Sequence, residues 1–127
     1  MLRPRKFLLV DENADGRSLL ARTLHRKFPQ SLTLECIDAD TAVSTAKSEN
    51  LDAIIIHRAD LPGVEIIRLI RALNPTVPIL AVSGFDRAKE SAAAGANRFL
   101  NYDQWLLVGT VVAEMLGLSV VSEPSKQ

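Results

Sequence analysis

The stretch 51–63, LDAIIIHRADLPG, decides how this chain folds. After Asp52 it runs through the apolar residues AIII, then breaks into His57, Arg58 and Asp60 before Pro62 and Gly63 turn the chain. A short, isoleucine-rich run without polar alternation suits a strand buried on both faces, as in a parallel sheet. Ligands of open parallel sheets bind just beyond the carboxyl ends of central strands. The polar residues after Ile56 are therefore expected to stand at the functional edge.

Upstream, residues 7–10, FLLV, form a second apolar run that stops at Asp11 and Glu12. From Asn13 the spacing turns helical, with Leu19, Leu20, Leu24 and Phe28 on one face. Asn13 is the expected N-cap, Asp15 suits the helix dipole, and Pro29 stops the helix. Residues 32–37 alternate apolar and polar, as in a strand nearer a sheet edge. Asp38 or Asp40 then caps a helix holding Ala42, Val43 and Ala46.

Downstream, a helix from Val64 is expected to turn Ile66, Ile67, Ile70 and Leu73 inward and Arg68 and Arg71 outward, ending at Asn74 and Pro75. Residues 77–82 read as a buried strand finishing at Ser83 and Gly84. Asp86 opens an alanine-rich helix closed by Gly95, and residues 97–101 form a short strand around Phe99 and Leu100. A last helix is expected from Asp103 to about Gly117. Strand and helix thus alternate five times with short connections. That predicts an α/β domain over 1–117, with a doubly wound five-stranded parallel sheet, and a flexible tail or linker over 118–127.

At 127 residues and 47% hydrophobic, the chain is sized for one self-sufficient core. Fifteen basic residues balance fifteen acidic ones, which argues against general nucleic-acid or anionic-membrane binding. The lone Cys36 lies in an apolar run and reads as a buried thiol. With no transmembrane-length run and no signal-peptide pattern, the expected location is cytoplasmic.

The polar markers at the strand ends are Asp11-Glu12, the cluster after Ile56, Ser83-Gly84 and Asn101-Tyr102-Asp103. In order and spacing they resemble the receiver domain of bacterial two-component response regulators. LLVDEN, DAIII, LPG, PILAVSG and GANRFL carry the resemblance, which covers 7–117. It implies the flavodoxin-like (βα)5 fold of CheY-like proteins, with strand order 2-1-3-4-5. In that family an aspartate after the third strand takes a phosphoryl group from a histidine kinase. An acidic pair binds magnesium, and a hydroxyl and a lysine complete the site.

By this resemblance Asp11 and Glu12 match the acidic pair, Ser83 the hydroxyl, and Phe99 the aromatic that moves on activation. The acceptor position falls on His57 or Arg58, and the lysine position on Tyr102. Both losses point to a degenerate receiver, or pseudo-receiver. Such a protein is a non-enzymatic module acting through protein–protein contacts with a histidine kinase, an output domain or another regulator. No resident cofactor is expected; magnesium would find only a weak site at Asp11 and Glu12. A cation from His57 or Arg58 pairing with that acidic site would remove the need for metal and hold one conformation. The alternative is an active phosphorelay receiver with a displaced acceptor, Asp60 or His57. His57 joining the acidic pair as a transition-metal ligand is a further reading. A nucleotide-binding flavodoxin-like domain is disfavoured, because no glycine-rich loop follows the first strand.

Apolar residues of the last helix, 105–116, cover more than one face. Trp105, Val108 and Val112 are the expected partner face, for a signalling protein or a second copy of the chain. A broadly buried helix is the competing reading.

Overall fold

The apolar runs read above become strands because each can be buried on both sides. In the computed structural model, which describes residues 4–57 and 61–118, the strands are β1 Lys6–Val10, β2 Leu32–Cys36, β3 Ala53–His57, β4 Ile79–Ser83 and β5 Arg98–Asn101. They pair in parallel in the order β2-β1-β3-β4-β5. The helices are α1 Ala14–Lys27, α2 Ala39–Ser48, α3 Leu61–Leu73, α4 Ala88–Ala94 and α5 Val108–Met115. β2, the alternating strand, lies at the sheet edge as expected.

Strand periodicity divides the core into two layers. Leu8, Val10, Ile54, Ile56, Ile79 and Ala81 point to the side covered by α2, α3 and α4. Phe7, Leu9, Ala53, Ile55, Leu80 and Val82 point to the side covered by α1 and α5. Residues 7, 9 and 11 share one parity, as do 53, 55 and 57. Asp11 and His57 therefore emerge from neighbouring strands toward the α1/α5 layer.

Helix starts follow local chemistry. Asn13 caps α1, its side chain accepting from the Gly16 N–H at 2.8 Å. Asp38 rather than Asp40 caps α2, accepting from the Thr41 N–H at 2.8 Å. Gly95 ends α4 at φ 121°, a conformation other residues adopt only with strain.

Four expectations are corrected. Pro62 and Gly63 do not turn the chain ahead of a helix from Val64: α3 begins at Leu61 and takes both into its first turn, where proline is tolerated. The segment after β5 is not one helix: Tyr102–Leu107 is a 3-10 helix with a non-helical kink at Gln104, and α5 begins only at Val108. Val108 and Val112 are fully buried against the sheet, so they cannot form a partner face. Exposure falls instead on Leu106 and Leu107, with Trp105 half-buried. In α3 the last-turn assignments exchange: Leu73 is exposed, whereas Arg71 folds back onto the protein.

Arg71 shows why spacing alone misplaced it. Its guanidinium donates to the carbonyls of Gly95 (2.7 and 3.0 Å), Val77 (2.7 Å) and Asn74 (3.1 Å), and to Oδ1 of Asn97 (2.9 Å). Only a planar fork on a long stem can gather acceptors from several loops at once. Burial holds its pKa below the ordinary arginine value. This contact ties α3 to the turns that lead into β4 and β5, below the functional edge.

Candidate functional site

The edge site forms where β1 and β3 end. Asp11 follows β1 and its side chain is fully enclosed. A buried carboxylate needs partners for its oxygens, and here each oxygen has one. Oδ1 accepts from the Asn13 backbone N–H at 2.8 Å, and Oδ2 shares a hydrogen bond with Nδ1 of His57. Arg17 adds a third tie, donating from Nη1 to the Asp11 carbonyl at 2.9 Å.

His57 is the last residue of β3. Its side chain is 8% exposed and is covered by Tyr102, the first residue after β5. The two rings stack at 4.4 Å between centroids and 12° between planes. The kinked 3-10 turn permits this, with Asn101 Oδ1 accepting from the Asp103 N–H at 3.0 Å. Among the described residues, His57 is the third-strand side chain found on Asp11. Arg58 and Asp60 lie outside the described residues.

Gly16, in the first turn of α1, is the residue the sequence reading missed. A Cβ there would lie 2.6 Å from Asp11 Oδ2 and 3.1 Å from His57 Nδ1. The absent side chain is what lets α1 close over the pair. A glycine inside an otherwise helical pattern was the available signal, since it costs about 1 kcal/mol relative to alanine and invites a packing reason.

The other expected residues are divided. Ser83, at the end of β4, is buried, and its oxygen accepts from the Phe85 N–H at 3.1 Å. Glu12 points outward and is exposed. Phe99 is half-buried against the core layer that faces α2, α3 and α4. Asn13, Gly16, His57, Ser83, Gly84, Phe85 and Tyr102 surround a cleft of about 330 Å³. A second hollow of about 230 Å³ includes Asp11, Glu12, Asp38 and His57.

These residues do not suit a magnesium ion. Both oxygens of Asp11 are engaged, one by an imidazole occupying the space a cation would need. Magnesium requires near-octahedral oxygen ligation. Among the described residues no three His, Cys, Asp or Glu side chains converge on a metal position.

Several solved structures share this architecture. A putative response regulator from Chloroflexus aurantiacus J-10-fl matches with a TM-score of 0.80 at 20% identity, over 91% of this chain and 99% of that one. The receiver domain of sensor histidine kinase PA1611 from Pseudomonas aeruginosa PAO1, with magnesium coordinated in its active site cleft, gives 0.77 at 23% identity, over 91% and 99%. Chemotaxis response regulator CheY4 of Vibrio cholerae gives 0.70 at 21% identity, over 87% and 99%. The fold is the receiver fold. Likeness at such identities carries the fold and not the activity. No family model and no curated protein matches the sequence.

Proposed function

We propose that this chain is a receiver-like module of two-component signalling in which an internal hydrogen bond replaces phosphoryl-acceptor chemistry. It works in the cytoplasm through contacts with a histidine kinase, an output domain or another regulator. The observation that carries this reading is the engagement of both Asp11 oxygens, one of them by His57. A phosphorylatable receiver needs a carboxylate nucleophile at the end of the third strand, and a metal to neutralise the incoming phosphoryl charge. Here β3 ends in an imidazole whose nitrogen is committed to the would-be metal ligand. Tyr102, in the place the resemblance gives to lysine, supplies an aromatic cover instead of a cation. The result is one held conformation of the edge.

Intact-mass measurement after incubation with acetyl phosphate and magnesium tests the reading. The expected outcome is an unchanged mass. A stable gain of one phosphoryl group, abolished by Asp60→Asn or by His57→Gln, overturns it.

A further inference from the structure

We infer that the cleft bounded by Asn13, His57, Ser83, Phe85 and Tyr102 binds a small, planar, uncharged ring carrying a hydrogen-bond donor beside an acceptor, as a nucleobase or another cyclic amide does. This rests on the reading above, because a phosphoryl group and its metal would fill the same space.

About 330 Å³ lies near the lower bound of small-molecule sites, on the order of 300–1,000 Å³. The Phe85 ring on its wall is 68% exposed, a large apolar surface that gains from being covered by a flat partner. The stacked His57 and Tyr102 rings line it as well.

The polar groups then select the ligand. The Ser83 oxygen already accepts from the Phe85 N–H, which leaves its proton to donate. Asn13 uses Oδ1 on the Gly16 N–H, which leaves its amide hydrogens to donate. His57 spends Nδ1 on Asp11, and Nε2 has no hydrogen-bond partner among the described residues. With the proton on Nδ1, directed at the carboxylate, Nε2 offers a lone pair. The cleft thus presents donors and an acceptor together. Among the described residues no lysine or arginine lines it, so these supply no cation for an anionic ligand.

Gly84 provides a clean way to close the cleft, since a Cβ there would meet nothing within 4 Å. The test is a two-dimensional amide NMR titration of the full chain with uracil, hypoxanthine and, separately, inorganic phosphate with magnesium. Saturable shifts are expected with at least one of the two ring compounds, at Asn13, Ser83, Gly84, Phe85 and Tyr102, and none with phosphate. In Gly84→Leu the affinity should fall at least roughly tenfold, and Ser83→Ala should weaken it in an otherwise unchanged spectrum. No saturable shift with either ring, or equal affinity in Gly84→Leu and Ser83→Ala, overturns the ligand site and leaves the signalling reading standing. Shifts at the same residues with phosphate and magnesium overturn both.

Discussion

The imidazole of His57 and the carboxylate of Asp11 meet beyond the ends of β3 and β1, with Gly16 of α1 pressed against both. The two side chains come from adjacent strands and share a sheet face, so the contact needs no loop rearrangement. Asn13 holds the other carboxylate oxygen and also caps α1. One short network therefore joins β1, β3 and the start of α1, and Tyr102 shields it from water.

Removing the imidazole should expose how much that network contributes. His57→Leu leaves one oxygen of a fully enclosed carboxylate without its partner, a loss of about 2–4 kcal/mol. Urea denaturation is the measurement, and a midpoint equal to that of the wild type would deny the pair a structural role. Asp11→Asn should cost less, since an amide oxygen still accepts one of the two hydrogen bonds.

Placing a carboxylate at the same position should restore the affinity for magnesium. In His57→Asp a second acid would stand beside Asp11, repelling it and lowering the melting temperature in metal-free buffer. Added magnesium should raise that temperature in the variant and leave the wild type unmoved. An equal rise in both proteins would show that His57 does not keep the ion out.

Gly16→Ala sets helix propensity against crowding. Alanine gains up to about 1 kcal/mol inside a helix. The new methyl would lie 2.6 Å from Asp11 Oδ2, whose position two hydrogen bonds maintain. Overpacking of this kind costs about 1–3 kcal/mol. The expected sign is net destabilisation, read from the same urea curves, and a more stable variant would refute the close packing.

Arg71→Met should destabilise by about 1.5–3 kcal/mol, the scale of hydrogen bonds from a charged donor. The carbonyls of Gly95 and Val77 would lose the donors that now reach them. Arg71→Lys should recover only part, because an ammonium cannot span the same acceptors in a plane. Amide exchange at Gly95 to Arg98 reports the local effect: protection there should fall in both variants.

Asp38 gives a signed pH dependence. The Thr41 backbone N–H, then the Thr41 side chain, hold its pKa below the ordinary value of 3.8. A carboxyl whose pKa is lower folded than unfolded contributes stability above the unfolded value and loses it as pH falls through the folded one. Asp38→Asn keeps an N-cap oxygen but removes this titration. Its acid unfolding below about pH 3.8 should therefore be shallower than that of the wild type, as followed by circular dichroism.

Much of this molecule was legible from local pattern. Apolar runs at 53–56 and 77–82 marked the central strands, and the alternation at 32–37 marked an edge strand. Asp11, His57, Ser83 and Tyr102 were legible as an edge group because each follows or closes a strand. Leu73 and Arg71 were not, since helical spacing reports which face a residue lies on and not how far a side chain reaches. Val108 and Val112 were misread because helical spacing puts them on one face with Trp105 but does not say that this face meets the sheet.

Local pattern along the chain specifies the order of elements, the two-layered core and the set of polar residues brought to one edge. Periods of 2 and 3.6 residues are properties of single segments, and burial acts on them segment by segment. Long-range packing is what closes His57 on Asp11, requires Gly16 to be small and lays Tyr102 over the ring. Those contacts join residues far apart in the chain. Their geometry depends on strand register, on the approach of α1 and on the turn after β5, none of which a local pattern records.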